Sequence, residues 1–389
     1  KLPREVRVTI FAGFFVAMGF GLVVPAIPIF ARSFGVNNAA VGLIVSSFAA
    51  MRFISGLISG RLIDRNGERL VFAVGVTMVS FFTLLLAFSQ NYWQMLLFRT
   101  AGGLGSSMFS VSANSVILRS VGDDKRAQVQ SIYNSTFLLG AITGPAFGGL
   151  LMNISLRSPF LVYAASLFVA GIIAFFFLNA KHLEPAKGKN IEGFPVTQAL
   201  KIPAYRIALL SSFLITWVLF GLRNSITPLF VTEELHGTNS LVGYGFALAA
   251  LTQALLVIHA GRFSDEKGRK SALYLGTVIL SIGILILAFA THRWSYLAAM
   301  IFMGIGGAYL SATPAAIVGD VVKGKIGKVV GAFQMAGDAG MIVGPIVVGW
   351  LADVYDFRTA YAASLAIFAI TILLAWQLPE TRSTIVSKN

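Results

Sequence analysis

The most constraining feature of this chain is a series of long apolar runs. A helix that crosses a bilayer needs about 20 consecutive, mostly apolar residues. The 389 residues hold twelve such runs, at 8–31, 39–60, 70–89, 93–117, 127–152, 157–179, 206–231, 241–260, 271–290, 295–319, 328–352 and 359–377. In lipid every backbone N–H and C=O must find its partner inside the protein, so runs of this length fold as helices. Composition agrees. Only 12% of residues are charged and 56% are hydrophobic, with mean hydropathy +0.79. A soluble chain carries about 25% charged residues. The expected fold is therefore an all-α membrane protein with twelve transmembrane helices.

One connection is long. Residues 180–205 are polar and carry Pro185, Gly188, Gly193, Pro195 and Pro203. This linker divides the chain into an N-terminal six-helix bundle (1–179) and a C-terminal six-helix bundle (206–389). The placement of basic residues orients them, because cytoplasmic loops are enriched in Lys and Arg. With the N-terminus inside, 23 of the 30 Lys and Arg fall on the cytoplasmic side. Four (Arg32, Arg157, Arg293, Arg358) fall outside, and Arg52, Arg99 and Arg223 lie within helices. Both termini are expected in the cytoplasm, in a plasma (inner) membrane. The net charge of +14 is thereby explained without nucleic acid.

The chain repeats itself at an offset of about 200 residues. Phe20-Gly21-Leu22 recurs as Phe220-Gly221-Leu222, and Gly60-Arg61 through Asp64 to Gly67 recurs as Gly261-Arg262 through Asp265 to Gly268. Gly140, Gly144-Pro145 and Gly149 match Gly340, Gly344-Pro345 and Gly349. Six matched helices in the same order give parallel repeats, an arrangement of secondary transporters with a site between the halves near the midplane. There is no cysteine, and His182, His236, His259 and His292 are scattered, so no metal or redox cofactor is expected. Lys1, Arg4 and Arg7 lead directly into an apolar run, which is not a cleavable-signal pattern. No Ser/His/Asp set or nucleotide loop points to an enzyme, and no long soluble segment points to a receptor or scaffold.

The stretch Gly60-Arg61-Leu62-Ile63-Asp64-Arg65-Asn66-Gly67-Glu68-Arg69 resembles the G-x-x-x-D-[RK]-x-G-[RK]-[RK] loop signature of the major facilitator superfamily, between helices 2 and 3. A second copy, Gly261 to Lys270, lies between helices 8 and 9. Glu68 departs from the pattern in the first copy and Glu266 in the second. Helix 5 carries Gly140-x-x-x-Gly144-Pro145-x-x-Gly148-Gly149, similar to the G-x-x-x-G-P-x-x-G-G pattern of the family's drug–proton antiporters. Arg99-x-x-Gly102-Gly103-x-Gly105 is similar to the family's R-x-x-Q-G-x-G, with Gly102 where Gln is usual. The resemblance implies export by antiport, with the proton as coupling ion. It implies that Asp64 helps hold the halves together on the cytoplasmic side, with Gly60, Arg61, Gly67, Arg69, Gly261, Asp265 and Gly268 completing the gate loops.

Each motif has a plain packing reading beside the functional one. The loops are also tight, positive-inside turns. Gly140, Gly144 and Gly148 fall on one helix face, where small residues let another backbone approach. Pro145 removes a helical hydrogen bond and favours a kink.

The charges inside the membrane are harder to assign to packing. Each costs about 2.5–3.5 kcal/mol at a helix centre, which makes Arg52, Arg99, Arg223 and Asp338 the candidate substrate and coupling residues. Arg52 and Asp338 lie at depths of roughly 12 and 15 Å at 1.5 Å per residue. The family packs helices 2 and 11 across the halves, so an Arg52–Asp338 ion pair is expected, either static or broken by protonation of Asp338. No intramembrane acid lies close in sequence to Arg99 or Arg223, which favours an anionic or zwitterionic substrate; Glu233 and Glu234, on the outer side, are placed to offset them. Asn134, Gln253 and Gln334 could supply hydrogen bonds to a substrate or glue helices together. Two transport readings stay open: an exporter of small amphipathic compounds of the multidrug type, and a dedicated exporter of one anionic metabolite or lipid. Either is expected to act as a monomer surrounded by membrane lipid.

Overall fold

The computed structural model describes residues 3–120, 123–178, 195–321 and 327–381. Most of the predicted linker therefore lies outside the described residues; its end carries one turn of helix, Val196–Ala199. The described chain is helical, with no strand among the described residues.

Twelve long helices follow the predicted runs. They are α1 (Arg4–Arg32), α2 (Asn38–Asn66), α3 (Glu68–Ala87), α4 (Tyr92–Ser120), α5 (Asp123–Ile154) and α6 (Ser158–Phe177). The second set is α7 (Pro203–Glu233), α8 (Asn239–Lys267), α9 (Arg269–Ala288), α10 (Arg293–Val321), α11 (Gly327–Val354) and α12 (Phe357–Gln377). Ten contain a stretch both long and apolar enough to cross a membrane. The other two, α4 and α5, have 29 and 32 residues. They are long enough to span, and they carry the serines, asparagines and charges that lower their hydropathy.

Two helices run farther than the apolar pattern indicated. α2 and α8 continue past positions 60 and 260 to Asn66 and Lys267, so most of each loop signature is the last two turns of a helix. The actual reversals are single residues, Gly67 at φ +79° and Gly268 at φ +99°. Such backbone angles are open to glycine and strained for other residues. Gly60 and Gly261 sit inside the helices, with open space where a Cβ would stand, and make no turn. The extension also puts Arg52 about 21 Å from the end of its helix and Asp338 about 16 Å from the start of α11, at 1.5 Å per residue. Their helix ends are therefore less evenly matched than the sequence depths suggested.

By contact density the chain forms two units, 1–187 with 227–247 and 188–226 with 248–389. The repeat is visible within each. In the first unit α1 packs on α5 and α6, and α3 on α4 and α6. In the second α7 packs on α11, and α9 on α10 and α12. The contacts use the same repeat positions. A Cβ on Gly21 would stand 3.0 Å from the Cα of Gly144, and one on Gly221 would stand 2.9 Å from the carbonyl carbon of Gly344. Likewise a Cβ on Gly75 would lie 2.8 Å from the Gly105 oxygen, and one on Gly306 would lie 2.9 Å from the Gly276 oxygen. Backbones this close exclude any side chain, so the repeated glycines are dictated by packing.

The halves differ where α1 and α7 break. α1 interrupts at Val24–Pro25, between Val23 and Ala26. α7 instead widens into a π-helical segment at Trp217–Ile226, carrying Gly221 and Arg223.

Candidate functional site

In the first unit the charged site is built on α2, α4, α5 and α6. Phe48 and Arg52 are one turn apart on α2 and so share a face. Arg99 of α4 lies with its Cζ 4.0 Å above the Phe48 ring. It is only 8% exposed, and its Nε is buried without a hydrogen-bond partner. Among the described residues no carboxylate forms an ion pair with it. Tyr163 of α6 and Tyr133 of α5, 3% and 7% exposed, complete the wall. Tyr163 lies in the electrostatic field of both Arg99 and Arg52, and Tyr133 in that of Arg52. The arrangement is a buried guanidinium on an aromatic floor, with a second arginine and two phenols nearby. A buried donor left unsatisfied costs about 1–3 kcal/mol. An anion that accepted from it would recover that cost, and a guanidinium can hold a carboxylate or phosphate through two parallel bonds.

In the second unit a cavity of about 340 Å³ has Ser212, Thr216, Gln253 and Ser311 among largely apolar walls. Gln253, the repeat mate of Arg52, is half-buried there, 3.4 Å from the place of a Cβ on Gly307. The Thr216 hydroxyl donates to the Gly337 carbonyl at 2.6 Å, binding α7 to α11 beside Asp338. Asp338 is half-buried and engaged. Arg223, in the π segment, donates from Nε to Asn224 Oδ1 at 3.3 Å and lies in the field of Tyr296. Gln334 is exposed, and the side chain of Asn134 lies outside the described residues.

Glu233 is used differently from the expectation. It forms a two-pronged pair with Arg32, Nε–Oε1 at 2.6 Å and Nη2–Oε2 at 2.8 Å. Arg32 also donates to the Val36 carbonyl at 2.7 Å. This carboxylate therefore serves the C-terminal end of α1, not Arg99 or Arg223. The partners are 201 residues apart, close to the repeat offset.

The two copies of the loop signature carry opposite charges at the residue after the turning glycine, Glu68 in the first and Arg269 in the second. In the second copy Arg269 pairs with Asp320 at 3.0 Å and with Asp265 one turn earlier. Glu380 accepts from the backbone N–H of Arg269 at 2.9 Å, capping α9 where its first N–H groups are open. In the first copy the position of Arg269 is Glu68, which is 3% exposed and accepts from the Ser115 hydroxyl at 2.9 Å. Arg69 donates to the Phe175 carbonyl at 2.8 Å. Arg61 and Asp64 are exposed, Asp64 also being engaged. Sequence reading noted Glu68 only as a departure; its buried setting depends on Ser115, 47 residues away.

The glycine helix lies against α1. A Cβ on Gly140 would stand 2.5 Å from the Met18 nitrogen, and one on Gly144 would meet the Met18 oxygen and the Gly21 Cα. Gly148 faces Leu22 in the same way, while Gly149 faces Gly243 at 2.9 Å. Pro145 lies within the continuous helix α5. Asn153 of α5 donates to the Ser240 hydroxyl of α8 at 2.6 Å, next to the Gly149–Gly243 contact.

Repeated six-helix sets, glycine-tight helix pairs and buried charges in apolar helices define a class, the polytopic transporters with internal repeats. The comparisons with known proteins are specific. The sequence profile of the Major Facilitator Superfamily matches residues 9–230 and 208–389, and the chain belongs to that superfamily. It is 25% identical over 383 residues to the multidrug resistance protein MdtG of Salmonella heidelberg (strain SL476), covering 96% of this chain and 95% of the relative. It is 26% identical over 378 residues to MdtG of Proteus mirabilis (strain HI4320), covering 94% and 93%. Among solved structures, a bacterial homologue of the human lysosomal transporter Spinster superposes with a TM-score of 0.81 at 14% identity, covering 97% of both chains. The nucleoside transporter NupG superposes with 0.79 at 15% identity, covering 96% of this chain and 99% of its own. The chain is thus a membrane transporter that resembles the drug–proton antiporters of its family.

Proposed function

We propose that the protein exports small amphipathic molecules carrying an anionic or zwitterionic group, in exchange for protons. The carrying observation is Arg99: buried, resting on Phe48, with Nε unsatisfied. Such a group recognises an acid next to an apolar body. The multidrug resistance name of the relatives supports export and broad amphipathic specificity. Asp338, the acid deep within α11, is the proposed proton carrier, and Arg52, deep within α2, is the second proposed coupling residue. The proton is then the only co-transported ion the mechanism needs. The excess of basic residues in one set of connections supports an inner-membrane protein with both termini in the cytoplasm.

The test compares efflux of matched amphiphiles differing only in charge. Wild-type protein should move the anion best, Arg99→Gln should lose the anion preference, and Arg99→Lys should keep part of it. Equal efflux of anion and cation by wild type would refute the substrate class. A second reading, a dedicated exporter of one anionic metabolite or lipid, rests on the same arginine; transport confined to a single compound in such a panel would favour it.

A further inference from the structure

The run Gly102-Gly103-x-Gly105 begins one turn after Arg99 on α4, and its glycines are not equivalent. A Cβ on Gly103 would stand 2.6 Å from the Phe48 carbonyl oxygen of α2, and one on Gly105 would stand 2.6 Å from the Gly75 oxygen of α3. Backbones that close leave both positions to glycine. A Cβ on Gly102 would instead meet Phe48 Cε2 and Phe82 Cβ, both at 3.9 Å, which is ordinary van der Waals contact. Glycine inside a helix is destabilising relative to alanine, so packing gives no reason for it at 102. This is also the position at which the run departs from R-x-x-Q-G-x-G.

The Phe48 ring shows what the glycine leaves out. The Arg99 guanidinium carbon lies 4.0 Å above the centre of that ring, and a Cβ at 102 would touch its edge. Residues three apart on a helix are neighbours, so a side chain at 102 would lie beside the guanidinium. Arg99 carries five N–H donors and is 8% exposed. Among the described residues it makes no hydrogen bond and no ion pair.

The second unit fills the same place. On the register that matches Gly103 with Gly304, the mates of Arg99 and Gly102 are Met300 and Met303, both buried. Met303 is seated against Gly283, its Cγ 2.9 Å from the place of a Cβ there. The first-unit mate of Gly283 is Phe82. A long side chain at 102 is therefore directed away from Phe82, toward Phe48 and the guanidinium. The open place beside a buried arginine belongs to the first unit and does not follow from the repeated scaffold.

We infer that Gly102 is a specificity-determining residue: it withholds a side-chain acceptor from Arg99 and so leaves the guanidinium to the acidic group of the substrate. The inference deepens the proposed substrate class and rests on it. A glutamine at 102 would bring an amide oxygen to the guanidinium and compete with the oxygens of the substrate. A leucine would fill the same space without an acceptor.

The test is calorimetric titration of the protein in lipid nanodiscs with octanesulfonate and with octyltrimethylammonium. The two share a chain length and keep their charges at every pH. Wild-type protein should bind the sulfonate more tightly. A hydrogen bond to a charged group is worth about tenfold in an equilibrium, so Gly102→Gln should lower the ratio of sulfonate to ammonium affinity by about that factor. Any cost of bulk falls on both ions alike, so Gly102→Leu should keep the wild-type ratio. Side-chain NMR of the Arg99 Nε–H, assigned by its loss in Arg99→Lys, reads the contact directly. The resonance should move when octanesulfonate is added to wild-type protein. It should stand displaced before any addition in Gly102→Gln and not in Gly102→Leu. The wild-type resonance alone decides the matter if the longer side chains prevent folding. Equal binding of both ions by wild type would refute the anionic substrate class itself. With the wild-type preference present, three results would overturn the role of Gly102 and leave that class standing: a preference kept in full by Gly102→Gln, an equal loss in Gly102→Leu, or an Arg99 resonance that octanesulfonate does not move.

Discussion

Removing the Glu233 carboxylate with Glu233→Gln should loosen the C-terminal end of α7 from that of α1. Arg32 and Glu233 meet through two parallel hydrogen bonds, with side chains 31% and 33% exposed. Two charges about 4 Å apart at an effective dielectric near 20 attract by roughly 4 kcal/mol before any costs. Partial exposure, side-chain ordering and screening reduce this sharply, since exposed pairs measure about 0.2–1 kcal/mol. The two-pronged geometry places this pair at the top of that range, about 1 kcal/mol, or roughly fivefold in an equilibrium. The chain has no cysteine, so spin labels can be placed at Ser33→Cys and Thr238→Cys without background. Wild-type protein should give one dominant short distance. In Glu233→Gln the long-distance population should rise about fivefold, and Arg32→Glu/Glu233→Arg should restore the short one. High salt should shrink the difference, because screening weakens an exposed pair. If Glu233→Gln leaves the distribution unchanged, or the swap fails to restore it, the pair is not what holds these ends together.

Three further outcomes follow from the packing and caps. Gly144→Val should destabilise the first unit by about 1–3 kcal/mol, the usual range for overpacking, because its Cβ would stand 2.7 Å from the Gly21 Cα; thermal unfolding in detergent reads this. Gly67→Ala should cost about 1–3 kcal/mol, because its positive φ with extended ψ is a region open essentially to glycine alone, whereas Gly60→Ala, with open space around it, should be close to neutral. Asp356 caps α12 by accepting from the Thr359 N–H, and that bond holds its carboxyl below the usual range. A depressed value means the cap is fully present above about pH 4, the ordinary Asp value, and is lost as pH falls through the lower folded value. Amide exchange at the start of α12 should accelerate over that window in wild type, and Asp356→Ala should remove the dependence.

Much of the scaffold was readable because lipid imposes a single rule, length and hydropathy, on every spanning helix. The glycine repeats were readable because close backbone approach leaves no choice of residue. What escaped depends on residues far apart in sequence. The cation–π partner of Arg99 is Phe48, on another helix. Glu380 caps α9 from 111 positions away. The π-helical turn around Arg223 leaves no mark in the hydropathy, because widening one turn does not change which residues are apolar. The apolar pattern also stopped short of the true ends of α2 and α8, since a helix end carrying Asp64 or Asp265 reads as a loop by composition. Glu233 was assigned by depth alone, which does not reveal that Arg32 is opposite.

The central claim is exchange of an anionic amphiphile against protons. Flux into proteoliposomes under an imposed pH gradient tests it most directly. The account predicts that an anionic amphiphile is driven by the gradient in the wild-type protein, that Asp338→Asn abolishes the driving effect, and that Arg99→Gln removes the preference for the anion. Flux independent of the gradient, or gradient-driven flux intact in Asp338→Asn, would contradict it.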